Sequence, residues 1–180
     1  MTALRQLFTN IHPLSDQFWD ELLAGADEKM LPRKILLVKA GKPCRDTFFI
    51  VSGIARGYYL KNDTDITSRF LRENELIVAV NNNENVELVE ESKLIIVPRD
   101  LLADLQRKHP ELNFIMRSLA EHNYILSEER SFSMRMKSAR ERYEELLLTD
   151  ADLFLRVPLK HIASYLGMKP ETLSRIRAQR

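Results

Sequence analysis

The sequence predicts an α+β protein in which a β-rich part precedes a helical part. Three observations support this fold class. Short strand-like runs with turn residues between them occupy residues 28–98, a long helical pattern occupies about residues 110–136, and two short helical patterns occupy residues 157–180. Strands and helices are thus segregated along the chain, which is the arrangement of α+β proteins.

Residues 4–24 are predicted to form two helices that cover a core. Ser15 is the predicted N-cap of the second helix, because a serine side chain can accept a hydrogen bond from the first-turn amides. Both segments carry apolar residues at helical spacing, namely Leu4, Leu7, Phe8 and Ile11, then Phe18, Trp19, Leu22 and Leu23.

The stretch from about Glu28 to Pro98 contains short apolar runs rather than helical patterns. The spacing between the runs is roughly 8–12 residues, and turn residues such as Gly41 and Gly53 separate them. Such spacing predicts an all-β roll or barrel. The predicted strands are residues 34–38, 48–51, 55–60, 66–71 and 93–97.

The long helix predicted from Pro110 to about Met136 carries an apolar stripe with a period of about 3.5 residues. This period is typical of a seam between two helices. The helix either pairs with a second subunit or packs alone on the β-rich part. The seam residues predicted for the first case are Leu112, Leu119 and Leu126.

Residues 157–180 predict two short helices joined by a turn. The first helix ends at Gly167, because glycine adopts the conformation favoured at helix C-termini without a Cβ penalty. The second begins at Pro170, whose fixed φ suits a first helical turn. Such a pair forms either an αα-hairpin in a helical core or a helix-turn-helix. The apolar residues of its buried face are Leu159, Ile162, Ala163, Leu166, Leu173 and Ile176.

A net charge of +1 for the whole chain conceals a basic C-terminal segment. Residues 156–180 contain six Lys or Arg side chains and one acidic side chain, Glu171, which gives a net charge of +5. The remaining 155 residues carry a net charge of −4. A concentrated positive charge favours a polyanionic partner. The charge therefore favours a helix-turn-helix that binds double-stranded DNA.

The composition gives no support for an enzyme, a metal site or a cofactor. The single cysteine, Cys44, excludes an internal disulfide and a four-cysteine iron–sulfur cluster within one chain. The sequence has no pair of histidines at metal-site spacing, no nucleophile motif and no phosphate-binding glycine loop. No apolar run approaches the ~20 residues that span a bilayer. Without a recognisable signal peptide, a cytoplasmic protein with no membrane partner is expected.

The run 162–176 resembles the DNA-recognition motif of Crp/Fnr-type transcription regulators, and it is most similar to the versions associated with Bacteroidetes-like bacteria. The resemblance rests on the Glu-x-x-Ser-Arg spacing of Glu171, Ser174 and Arg175. It implies that these three residues contact bases from the recognition helix. Many members carry an arginine just before that glutamate, and this chain has Pro170 there.

Further basic residues of the C-terminal segment are predicted to contact DNA phosphates. Such contacts position a protein on the duplex but carry no sequence information. These residues are Lys160, Lys169, Arg177 and Arg180.

Residues 39–41, 48–53 and 88–94 are similar to the cyclic-nucleotide-binding-like β-roll of the same family. The resemblance thus covers nearly the whole chain. It implies a β-roll sensor domain at 1–109, a dimerisation helix at 110–136 and a helix-turn-helix domain at 137–180. It also favours pairing of the long helix with a second subunit, so that the protein is a homodimer.

Nucleotide-binding members of the family grip the cyclic phosphate with a Gly-Glu-Leu cassette and a later Arg-Ser/Thr pair. This chain retains Glu75 and Leu76, but Asn82 and Asn83 fall where the arginine pair is expected. Without a guanidinium the phosphate lacks its bidentate partner. We therefore expect a degenerate effector pocket that does not respond to cyclic AMP, with any small-molecule effector unknown.

Together these patterns predict a dimeric, sequence-specific DNA-binding transcription regulator. One alternative is a ligand-sensing or protein-interaction module with weak or no DNA binding, against which the basic C-terminal segment and its Glu-x-x-Ser-Arg spacing argue. A second alternative, a small-molecule enzyme, lacks any catalytic motif in the sequence.

Overall fold

The computed structural model describes residues 1–62, 64–78 and 83–179, and these form two compact units. The first unit comprises Met1–Gly57 and Phe70–His122, and the second comprises Tyr58–Arg69 and Asn123–Arg180. This division differs from the predicted domains in two places. The tip of a β-hairpin groups with the C-terminal helices because it packs on one of them, and the long helix is divided because its two halves pack in different units.

Three helices of the first unit flank its strands. They are α1 (Thr2–Ile11), α2 (Asp16–Gly25) and α3 (Arg99–Lys108). The predicted N-cap is confirmed, since the Ser15 hydroxyl accepts a hydrogen bond from the Phe18 amide at 3.2 Å. This bond satisfies one of the amides that a helix start leaves without an intrahelical partner.

Eight strands in the described residues form two four-stranded sheets, with orders β1-β8-β3-β6 and β2-β7-β4-β5. The pairs β1–β8, β3–β8, β3–β6 and β2–β7 are antiparallel. The strands are β1 (Asp27–Leu31), β2 (Leu36–Val38), β3 (Asp46–Ser52), β4 (Ala55–Lys61), β5 (Thr64–Leu71), β6 (Leu76–Ile77), β7 (Asn85–Leu88) and β8 (Ser92–Pro98).

Successive side chains of β3 face two different apolar cores in the first unit. Phe48 and Ile50 face a core between the two sheets, to which both sheets contribute. Phe49 faces the opposite way, into a second core that the sheet forms with α1, α2 and α3, called here the helix-side core. The strand is therefore buried on both faces, which is why it is an almost continuous apolar run in the sequence.

Five helices complete the described chain after α3: α4 (Pro110–Met136), α5 (Ala139–Thr149), α6 (Leu153–Arg156), α7 (Leu159–Tyr165) and α8 (Pro170–Ala178). The predicted long helix agrees with α4. A capping box begins α5, because Ser138 accepts from the Glu141 amide and the Glu141 carboxylate accepts from the Ser138 amide.

Two properties of the described part of the chain bear on function. In residues 1–62, 64–78 and 83–179 no helix has both the length and the apolar character needed to cross a membrane. The same residues contain no group of three or more His, Cys, Asp or Glu arranged to hold a metal ion.

Candidate nucleic-acid interface

The helices α7 and α8 are joined by residues 166–169, a turn that Gly167 makes possible. The Met168 amide donates to the Ala163 carbonyl and the Gly167 amide to the Ser164 carbonyl, both at 3.0 Å. Gly167 has φ +65°, in the left-handed region. These bonds form a Schellman motif, which satisfies carbonyls at the end of α7 and turns the chain sharply into α8.

Two arginines from outside the pair hold the C-terminal end of α7. The Arg130 guanidinium of α4 lies over the Tyr165 ring, 3.9 Å from its centroid, and donates to the Tyr165 carbonyl at 2.7 Å. Arg142 of α5 donates to the Leu166 carbonyl at 2.8 Å and to the Lys137 carbonyl. Both guanidiniums bond to carbonyls at a helix end, where positive charge is favourable.

Burial lowers the pKa of Arg130 from its ordinary value, with the partners at Tyr165 opposing the shift. A desolvated cation is costly unless its hydrogen bonds are made. The Tyr165 carbonyl and ring therefore compensate for the desolvation of this guanidinium. The interaction fixes the position of α7 relative to the C-terminal half of α4.

One face of α8 is buried and the opposite face is exposed. Leu173 and Ile176 are buried, and their spacing matches the helical period. Glu171, Ser174 and Arg175 are all exposed. Because these three residues stand at positions i, i+3 and i+4, they share one face of the helix. The structure thus brings the three predicted base-contacting residues together.

Three of the four predicted phosphate-contacting residues are described, and they lie on α7, at the start of α8 and near its C-terminal end. Lys160, Lys169 and Arg177 are exposed, and Arg180 lies outside the described residues. Lys169 is the N-cap of α8, and its carbonyl accepts from the Leu173 amide at 3.1 Å. The amides of a helix start carry partial positive charge, which adds to that of Lys169 near the first turn.

No protein-family model and no curated protein sequence matches the chain. Solved structures match it in fold. FixK2 from Bradyrhizobium japonicum has a TM-score of 0.77 at 20% identity, over 86% of this chain and 83% of that chain. A transcriptional regulator of the Crp/Fnr family from Eubacterium rectale has a TM-score of 0.76 at 16% identity, over 93% and 85%.

A third match is the c-di-GMP responsive global regulator CLP of Xanthomonas campestris, with a TM-score of 0.72 at 12% identity over 92% of this chain and 91% of that chain. These matches combine low identity with coverage of nearly the whole chain. The chain has the fold of Crp/Fnr-type regulators. The antiparallel sheets and the helices that follow them are the elements of that fold.

Within the Crp/Fnr-type fold, the predicted effector residues are only partly described. Glu75 and Leu76 are half-buried, Asn83 is exposed in a turn, and Asn82 lies outside the described residues. Leu76 packs against the helix-side core, and Ile77 is the residue of β6 that enters the core between the sheets. Neighbouring strand residues face opposite sides, so Leu76 does not face the core between the sheets, and the effector pocket stays a prediction.

Two of the three predicted seam residues of α4 pack within the chain. Leu112 is fully buried and Leu119 partly buried in the helix-side core of the first unit, so Leu112 has no surface to offer a partner. Leu126 is 47% exposed. Leu112 is therefore withdrawn from the seam. Local periodicity cannot distinguish an apolar stripe that packs within the chain from one that packs on a second chain.

Arg130 and Arg142 are positioning residues for the α7–α8 pair that sequence reasoning did not identify as such. The carbonyls they contact lie 35 and 24 residues further along the chain. A basic residue on a helix has no local pattern that reveals such a distant partner.

Proposed function

We propose that this chain is a sequence-specific, DNA-binding regulator of transcription of the Crp/Fnr type, with α7 and α8 as its helix-turn-helix. The observation that carries the proposal is the exposed face of α8. Glu171, Ser174 and Arg175 share this face, while Leu173 and Ile176 anchor the opposite face in the core. An anchored helix with exposed polar side chains on one face is suited to the major groove.

The chemistry of the exposed face matches the edges of bases. Arg175 can donate two hydrogen bonds to guanine O6 and N7, the commonest specific contact in the major groove. Glu171, one helical turn earlier, can accept from cytosine N4. Ser174 can reach a neighbouring base or a phosphate. The basic residues Lys160, Lys169 and Arg177 would then neutralise phosphates along the backbone.

The active species in this proposal is a homodimer paired through the C-terminal half of α4. Ile125 and Phe132 are exposed and seven residues apart, so they share one stripe of α4. The exposed Leu126 lies about 100° around the helix from Ile125 and widens this apolar surface. Pairing would remove this apolar surface from water. It would also supply the second recognition helix needed to read two half-sites about 34 Å apart.

We further infer that cyclic AMP does not control this protein. The core between the sheets is filled by apolar side chains such as Phe48, Ile50 and Leu88. Arg56, whose side chain is 4% exposed, is ion-paired with Glu87 at 2.7 Å, so its charge is already balanced. We expect cyclic AMP to bind no better than about millimolar. Calorimetry that gave a micromolar dissociation constant would contradict this inference.

Selection of bound sequences from a random DNA pool tests the proposed function. We expect enrichment of an inverted repeat whose half-sites are about 10 base pairs apart, centre to centre. A scrambled version of the enriched sequence serves as the control for binding driven by charge alone. If no sequence were enriched at physiological salt, the ligand-sensing or protein-interaction alternative would replace the proposal.

A further inference from the structure

The tip of the β4–β5 hairpin belongs to the same compact unit as α7, although about 100 residues separate them in the chain. Within this unit, the amide of Thr67 on β5 donates to the Ser164 hydroxyl of α7 at 2.9 Å. The same hydroxyl donates to the Asp65 carbonyl at 3.4 Å. One serine side chain therefore bonds to two backbone groups of one strand.

These two backbone groups are the ones that an additional strand would use. Among the strands that the structure describes, β5 lies at the end of its sheet and its one neighbour is β4. In a strand, the backbone carbonyl of one residue and the backbone amide of the residue two positions later point to the same side, toward a neighbouring strand. Here the Ser164 hydroxyl takes the place of that strand. It thereby covers part of a sheet edge that would otherwise expose unpaired backbone groups.

Other features of the contact show that it is packed as well as hydrogen-bonded. Thr67 is only 1% exposed. The imidazole Nδ1 of His161, one turn before Ser164 on α7, lies 4.0 Å from the Asp65 carboxylate. The hairpin tip thus contacts two successive turns of α7 while Arg130 holds the neighbouring Tyr165.

The recognition face of α8 remains outside this contact. Glu171, Ser174 and Arg175 are exposed in the structure that contains the docked hairpin. The docked hairpin therefore does not cover the face of α8 that is proposed to read DNA. It instead fixes α7, and the packing of α7 against α8 then fixes α8.

We propose that Ser164 is a positioning residue for DNA recognition, which fixes α7 and hence α8 by docking on the hairpin tip Tyr58–Arg69. This inference rests on the proposed function. The strands of the hairpin also contribute Ala55 and Leu71 to the core between the sheets. In this proposal, DNA affinity depends on whether the hairpin tip is docked on α7.

The test compares Ser164→Ala, which removes the hydroxyl, with Ser164→Thr, which retains it. Ser52→Ala, at an exposed position at the end of β3, is the matched control for loss of a serine hydroxyl. Affinity for a selected DNA site is measured together with NMR-detected hydrogen exchange of the Thr67 amide. Hydrogen exchange of the Thr67 amide reports the docking contact directly, because this amide donates to the Ser164 hydroxyl. A measurement of overall stability would not report this contact.

We expect Ser164→Ala to weaken binding to the selected site by about three- to tenfold, the equivalent of one neutral hydrogen bond. Exchange at the Thr67 amide should accelerate in the same variant. Ser164→Thr should retain more of the affinity and the protection than Ser164→Ala, and Ser52→Ala should retain wild-type values of both.

Three results would overturn the inference. They are unchanged DNA affinity in Ser164→Ala, tighter binding in that variant, which would make the hairpin inhibitory, and unchanged protection of the Thr67 amide. Failure of the proposed function is distinguishable, because the wild-type protein would then show no preference for any DNA sequence. In that case loss of Thr67 protection in Ser164→Ala would still report the docking contact itself.

Discussion

The guanidinium of Arg130 lies over the ring of Tyr165 and donates to the carbonyl of the same residue, at 2.7 Å. A single side chain of α4 thus contacts both the side chain and the backbone at the end of α7. Stacking and hydrogen bonding both depend on the planar shape of the guanidinium. The position of the proposed DNA-binding helices relative to the C-terminal half of α4 depends on this contact.

Arg130→Lys should lower the free energy of unfolding by about 1–3 kcal/mol, because an ammonium retains the charge but cannot reproduce the stacked, hydrogen-bonded geometry. Arg135→Lys, at an exposed position of the same helix, is the matched control and should change the free energy by less than about 0.5 kcal/mol. Urea denaturation followed by circular dichroism measures both. Equal stabilities of the two variants would show that Arg130 does not anchor α7.

Gly167→Ala should destabilise the protein by about 1–2 kcal/mol through its backbone conformation. Gly167 has φ +65°, and a Cβ there would also meet the terminal methyl group of Met134. Met134 is flexible enough to move aside, so the backbone term should dominate. Gly167→Asn should be better tolerated, since asparagine adopts this conformation more readily than alanine.

A double-mutant cycle separates the two causes. If the backbone conformation dominates, Met134→Ala combined with Gly167→Ala should recover little of the lost stability in denaturant unfolding. Full recovery in the double variant would show that the steric contact, and not the left-handed backbone, makes glycine necessary in this turn.

Leu126→Glu should convert a dimer into a monomer, because it places a charge in the exposed apolar surface of α4 that is proposed to pair. Leu148→Glu changes another leucine, which is 85% exposed on α5 and outside that surface, and should leave the dimer intact. Light scattering at micromolar concentration should give a mass near twice 21.0 kDa for the wild type and for Leu148→Glu. A wild-type protein that stays monomeric when DNA is added would contradict the dimer.

The elements with strong periodic patterns were predictable from the sequence. The long helix predicted from Pro110 to about Met136 agrees with α4, and the predicted strands correspond to β2, β3, β4, β5 and β8. The strand β1 was missed because its sequence, DEKML, is charged and exposed at a sheet edge without apolar alternation. The four-residue helix α6 is too short for a periodic signal.

The exposed face of the candidate site was predictable, whereas the contacts that position it were not. Glu171, Ser174 and Arg175 share a face because helical spacing determines it. The contacts of Arg130 and Ser164 join residues that are distant in sequence, and they depend on how the chain folds back. The burial of Leu112 has the same explanation, since the core that contains it is formed by residues from distant elements, including α1 and α2.

Binding curves for a selected site and a scrambled site, at several salt concentrations, test the central claim most directly. Arg175→Ala should cost about 1–3 kcal/mol per half-site and relax the preference at one base pair. Lys169→Ala is the comparison, because removing a phosphate contact should weaken binding to all sequences alike. It should also reduce the slope of log affinity against log salt concentration by about 1. An unchanged ratio of specific to scrambled affinity in Arg175→Ala would contradict the assignment of α8 as the recognition helix.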